Sequence, residues 1–185
     1  MISTLIATNS DTSDVATIEF TSGIDSTYDH YMFVLTDIHP ETVNQFLAVQ
    51  FNVDGQTGYN EEITSTFFAT NSQEAGGTDA TFLYQRSHDQ AAGTSYQRIS
   101  ARVSADADES TSGIFHLFNP ASTTYIKHFY GRTCNDFGTA DATPVKYLES
   151  AYSAGYVNVT GAIDEISFKF ESGNMNGTIQ MYGIA

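Results

Sequence analysis

The acidic run Asp106-Ala107-Asp108-Glu109-Ser110-Thr111-Ser112-Gly113 puts hard oxygen ligands on alternate residues, an arrangement that suits Ca²⁺. It lacks the central glycine and terminal glutamate of an EF-hand loop. Asp106, Asp108 and Glu109 are therefore calcium candidates set against the plainer reading of a solvated acidic turn. Gly93-Thr94-Ser95-Tyr96-Gln97 has the first glycine of a nucleophile elbow and lacks the second, so it reads as a turn before a strand. His39-Pro40-Glu41 has the H-x-E form of zinc deaminases, but that chemistry also needs a pair of cysteines and the chain has only Cys134. Glu61 and Glu62 are the raw material of glycoside hydrolysis, yet among 22 acidic residues such a pair reads as solvated surface. The histidines His30, His39, His88, His116 and His128 show neither H-x-H nor H-E-x-x-H spacing. His116 and His128 fall in strand-like runs and are expected to meet across a sheet in a hydrogen-bonded structural role. Tyr59, Tyr84 and Tyr96 could stack on sugar rings, but Trp is absent and most such rings belong to a core. No catalytic or cofactor-binding residue emerges, calcium is the one open cofactor, and the residues read as non-enzymatic.

Composition narrows the partners. The chain of 185 residues carries 7 Lys+Arg against 22 Asp+Glu, a net charge of −15, which repels phosphate backbones and anionic headgroups. Nucleic acid and membrane are accordingly excluded as expected partners. A single cysteine forms no intrachain disulfide. No run approaches the roughly 18 apolar residues of a span, and Met1–Ala7 lacks the basic region and length of a signal peptide. The length predicts one domain over 1–185.

The elements that must position these residues are strands. With 13 Phe, 11 Tyr and abundant Ser and Thr, the composition favours an all-β fold. Period-two alternation is clearest at the C-terminus, where Ile166, Phe168 and Phe170 alternate with Glu165, Ser167 and Lys169. The turn Ser172–Gly177 then delivers a closing strand over Thr178–Ile184, and together these predict a hairpin. Upstream, Ile2–Ala7 is a short apolar run, Thr8–Asp14 reads as a turn, and strands are predicted over Val15–Phe20, Tyr31–Ile38 (central, ended by His39-Pro40) and Phe46–Val53 (half-buried). Ile63–Thr70 favours a strand over a short helix. Further strands are predicted over Thr81–Arg86, Tyr96–Ser104, Gly113–Asn119 and Tyr125–Arg132. Thr143–Gly155 is ambiguous: Thr143-Pro144 can begin a helix, whereas Tyr147, Glu149, Ala151, Ser153 and Gly155 share one face of a strand, which is preferred. About ten strands without βαβ rhythm or repeat predict an antiparallel two-sheet β-sandwich, jelly-roll-like.

Four stretches in order, Ile18–Asp29, Tyr59–Phe68, Phe118–Tyr125 and Gly173–Ile184, resemble virion structural proteins of marine tailed bacteriophages of the cyanophage and pelagiphage type. The resemblance implies a β-sandwich displayed on the virion, as capsid decoration or as part of a tail or fibre surface, bound to other virion proteins and carrying no family site residues. A first strand beginning at Ile2, without an anchor or shaft ahead of it, points to a self-contained module. At seawater ionic strength the Debye length is roughly 4 Å, so crowding acidic copies costs little. The alternative expectation is a host-recognition lectin, with the loops Asn71–Asp79 and Asp136–Thr143 binding host surface glycans. A hydrolase acting on host polysaccharide has no residue pattern behind it. The uncharged strand Thr178–Ile184, if at a sheet edge, would expose Ile179, Met181, Tyr182 and Ile184, which predicts a homo-oligomer, with a trimer preferred by analogy to phage surface proteins.

Overall fold

The computed structural model describes residues 2–74, 80–138 and 146–185. Its strands are β1 (Ser3–Val15), β2 (Ile18–Phe20), β3 (His30–Pro40), β4 (Gln45–Val53), β5 (Ile63–Gln73), β6 (Ala80–Tyr84), β7 (Gln97–Val103), β8 (Thr111–Phe118), β9 (Lys127–Gly138), β10 (Lys146–Val157), β11 (Ile163–Phe170) and β12 (Met175–Ile184), with one 3₁₀ turn over Arg86–His88. They form two antiparallel sheets in a sandwich-like arrangement, an eight-stranded one in the order β1-β12-β3-β8-β9-β10-β5-β6 and a four-stranded one in the order β2-β11-β4-β7.

Alternation builds the core. Phe33 and Leu35 of β3, Phe115 and Leu117 of β8, Phe129 of β9 and Met181 of β12 face Val49 and Phe51 of β4 and Ile166 and Phe168 of β11, all buried. Ring pairs such as Phe33–Phe168 at 5.5 Å and Phe115–Phe129 at 5.5 Å fill the centre, where aromatic packing adds to the area buried. Towards β5 and β7 the filling thins to a separate cluster of Phe67, Ala69, Ala101 and Ala151. Three alanines cannot span the distance between two sheets. Lys127 is fully buried, and its ammonium donates to the carbonyls of Val159, at 3.1 Å, and Gly161, tying β9 to the segment entering β11.

Several expectations from the sequence are corrected. The C-terminal strand pair is no hairpin: β11 lies in the small sheet and β12 in the large one, so Glu171–Asn174 crosses between the layers and the rest of the expected turn, Met175–Gly177, already belongs to β12. Nor is β12 at an edge. It lies between β1 and β3, with Ile179 and Met181 fully buried. The turn expected over Thr8–Asp14 is instead the outer half of the edge strand β1, paired with β12 through Asp11↔Gly177 and, past an irregularity, again at Val15↔Met175. Its local chemistry survives only at that irregularity, where the Ser13 N–H donates to Asp11 Oδ1 at 2.9 Å. The strand expected over Val15–Phe20 is divided, Val15 closing β1 and Ile18 opening β2 in the other sheet. β4 is buried on both faces because loops cover the outside of the small sheet. Gln50 Nε2 donates to the carbonyls of Glu61 at 3.0 Å and of Thr94 and Ser95 at 3.1 Å, holding those loops down. Ile63–Gln73 and Lys146–Val157 are strands, so neither alternative helix forms there, while the Thr143-Pro144 helix start lies outside the described residues.

Candidate functional site

With loops over the small sheet, the outer face of the large sheet is the broad uncovered surface. In a chain with 22 acidic residues, the outward positions of β5, β6, β8 and β10 carry no carboxylate, and those of β9 carry only Asp136 at one end. Rings take their place. His30 stacks on Phe118 at 4.6 Å and Phe68 on Tyr152 at 4.9 Å, His116 packs tilted against Tyr130 at 4.5 Å, and the Arg132 guanidinium is 5.2 Å from the Tyr152 ring centre. In the middle, Thr64, Thr66 and Ala154 are too small to fill the row between Tyr130, Phe118 and Tyr156. This leaves an open apolar trough of about 450 Å³. His30 Nε2 and His116 Nδ1 are 2.8 Å apart, one donating to the other. Burial pushes both rings down, His116 to about 4, where the neighbouring His30 adds to the effect, so the pair is uncharged near neutrality. The expected His116–His128 pair does not form. His116 sits opposite Tyr130 in the β8–β9 register, and His128 packs against Tyr156.

A second feature opens between the layers where the core thins. A cleft of about 370 Å³ is lined by Phe46, Phe67, Leu83 and Ala101 and by the polar groups of Asn71, Gln85, His88, Arg102 and Glu149. Asn71, Glu149 and Asn135 are directly opposed on β5, β10 and β9, so one inward row of the sheet is polar where a core row would be apolar. His88 is buried between the ring edges of Phe46, at 4.8 Å, and Phe67, at 4.9 Å, and its Nδ1 has no hydrogen-bond partner. Burial first, and the nearby Arg98 guanidinium second, hold His88 down to about 4. Glu149 Oε2 is also without a partner. Burial pushes this carboxyl up, against the pull of Arg102.

The residues singled out from sequence lie elsewhere. Asp106, Asp108 and Glu109 occupy the connection between β7 and β8, where Lys146 Nζ is 3.2 Å from Asp108 Oδ2 and 3.5 Å from Glu109 Oε1. Glu109 is buried rather than solvated, and the Lys146 ammonium supplies the positive charge at this turn. Among the described residues no three His, Cys, Asp or Glu side chains are grouped to hold a metal ion. Glu61 is buried as well, its Oε1 accepting from the Val53 N–H at 3.3 Å, which corrects the solvated reading of the Glu61-Glu62 pair. Gly93 exchanges backbone hydrogen bonds with Ile63 in the turn leading to β7. His39 Nδ1 meets the Glu109 carbonyl at 2.6 Å. Tyr59 and Tyr96 pack over the small sheet, the Tyr96 hydroxyl donating to Ser167 at 3.1 Å, and of the three tyrosines named for sugar stacking Tyr84 alone is exposed. Of the two expected glycan loops, residues 75–79 and 139–143 lie outside the described residues, while Asn71–Gln73 belong to β5, Glu74 follows it in a turn, and Asp136–Gly138 belong to β9. Glu149 was visible in sequence as a polar residue on a strand-like run, whereas Asn71 was read as the start of a loop and proves to lie within β5. The signal was Glu149 sharing one strand face with Tyr147, Ala151, Ser153 and Gly155. No family model, curated protein or solved structure matches the chain.

Proposed function

We propose that the protein is a non-enzymatic structural component of a bacteriophage virion, displayed on the particle as a capsid-decorating or tail-surface module and docked to other virion proteins through the outer face of the eight-stranded sheet. The observation that carries this reading is the depletion of carboxylates at the outward positions of β5, β6, β8, β9 and β10, where Asp136 is the single one, in a chain of net charge −15, together with the apolar trough there. Contiguous exposed apolar surface marks interaction sites, and depletion of charge with enrichment of aromatic rings characterises interface cores. The phage setting rests on the resemblance of the ordered sequence stretches. We also read the strand order as jelly-roll-like. Setting aside β1 and β12 and counting the β8-β9-β10 meander as one position leaves β2-β11-β4-β7 opposite β3, the meander, β5 and β6, four against four. Capsid and lectin domains share that architecture. Homo-oligomerisation belongs to the proposal with a new surface, the edge strand β6, whose Phe82, Leu83 and Tyr84 are exposed without a charge between them. Immunogold labelling of purified particles tests the placement: labelled heads or tails support it, and protein found only in the lysate overturns it.

A second reading, recognition of host surface glycans, is favoured by the inter-sheet cleft, which combines apolar walls with a few convergent polar groups, as small-molecule sites do. Adsorption to host cells that free sugar blocks would support it.

A further inference from the structure

We propose that the cleft between β5–β6 and β7 binds one neutral, polyhydroxylated ring, such as a single pyranose unit of a glycan, by hydrogen bonds from Asn71, Gln85, His88, Arg102 and Glu149. This rests on the second reading above and assigns it a site.

The cleft is kept from collapsing by what surrounds it. Ala69, Ala101 and Ala151 leave the space, while Phe46 and Phe67 are held in place by edge contacts with His88 and, for Phe46, by the Arg98 guanidinium 4.2 Å from its ring centre. Two polar atoms of the lining residues are buried without a partner, His88 Nδ1 in the turn after the edge strand β6 and Glu149 Oε2 on β10. Leaving a buried polar group unmade costs about 1–3 kcal/mol, which a ligand that completes the bond recovers.

The chemistry of the lining selects the ligand class. A hydroxyl both donates and accepts, and the set here is mixed in the same way. Glu149 accepts, Arg102 donates, Gln85 does both, and a neutral His88 offers one donor and one acceptor. Asn71 Oδ1 already accepts from the Thr81 N–H at 3.1 Å and the Thr81 hydroxyl, so Nδ2 is the group it offers. An anion would meet the Glu149 carboxyl and the field of a −15 protein, and a cation would meet the Arg102 guanidinium, so a neutral ligand is favoured over either. Leu83, Ala101 and the ring edges supply the apolar wall for the C–H face of such a ring. Hydrolysis is not part of the inference, because Glu149 is the one acid lining the cleft among the described residues and glycosidic cleavage uses two.

The test is an amide NMR titration of the full chain with methyl glycosides of glucose, galactose, mannose and N-acetylglucosamine, with glucuronate and glucosamine as charged controls. The expected result is saturable shifts at Asn71, Gln85, His88, Arg102 and Glu149 with at least one neutral glycoside, at a Kd on the order of millimolar. Glu149→Ala should weaken that binding roughly tenfold. Gln85→Ala, at a partly exposed position, gives a second reading of the same site should Glu149→Ala fail to fold. Shifts confined to Tyr130, Ala154 and Tyr156 would overturn the cleft while keeping glycan recognition. No shift with any neutral glycoside at roughly 50 mM would overturn both, and tighter binding of a charged control would overturn the ligand class.

Discussion

His88 is held neutral by two phenyl edges, and that has a consequence for stability. Its folded pKa, about 4, lies below the value of about 6.5 for a free imidazole. Above pH 6.5 the ring is neutral in both states and adds no pH dependence. As pH falls from 6.5 towards 4, the unfolded chain takes up a proton that the folded chain refuses, so stability is lost across that window. His30 and His116 are shifted in the same direction and add to the loss. Comparing wild type with His88→Leu by denaturant titration between pH 7 and 4 isolates the His88 share. The stability difference should move by about 3 kcal/mol in favour of the variant as the pH falls, and a difference independent of pH would contradict the burial argument. At the acidic turn, Lys146 faces both Asp108 and the buried Glu109, so Lys146→Met should lower Tm at neutral pH and Ca²⁺ should restore part of the loss. In wild type the same addition should leave Tm unchanged. Residue types made Asp106, Asp108 and Glu109 conspicuous in the sequence, but nothing local indicates that a lysine some forty positions later closes on them. Glu149 was legible only as a lone acid on a face shared with Tyr147, Ala151, Ser153 and Gly155, because its meaning depends on which strand of the other sheet lies opposite.

The strands themselves were legible because period-two alternation is a local property, and Ile163–Phe170 and Thr178–Ile184 both fall within the strands observed. Their pairing was not. The stretch Ser172–Gly177 has two glycines at positive φ, Gly173 at 77° in the crossing segment and Gly177 at 131° within β12, and such a stretch can close a hairpin or cross between sheets, so only packing against β3 and β4 decides. The unprotected edge expected of β12 is instead found at β6, an uncharged five-residue strand with Phe82 66% exposed. Phe82→Lys is therefore expected to shift the protein from oligomer to monomer in sedimentation at micromolar concentration, and a wild type already monomeric would remove β6 as an assembly surface. Close strand approach gives a further prediction. A Cβ added at Gly155 would stand 2.5 Å from the Thr64 carbonyl oxygen and 2.7 Å from Phe129 Cζ, between two neighbouring strands. Gly155→Ala should destabilise the fold by roughly 1–3 kcal/mol in urea unfolding, as overpacking does, and a neutral effect would mean the strands separate freely.

On the scale of the molecule, charge and shape divide the surface. A net −15 chain keeps all its carboxylates but Asp136 off the outward positions of β5, β6, β8, β9 and β10, and covers the outer face of the other sheet with loops pinned by Gln50. One broad face is thereby left for a neighbour, and the central claim is that this neighbour is another virion protein. Ala154, at the middle of the trough, is the position at which a single carboxylate should oppose docking with little effect on folding, about 0.5 kcal/mol or less by thermal unfolding. The direct measurement is the amount of wild-type and Ala154→Glu protein that co-sediments with intact, purified phage particles. The account predicts wild-type protein on the particles and loss of the folded Ala154→Glu variant from them. Wild-type protein found only in the lysate, or the variant retained at the wild-type level, would contradict it.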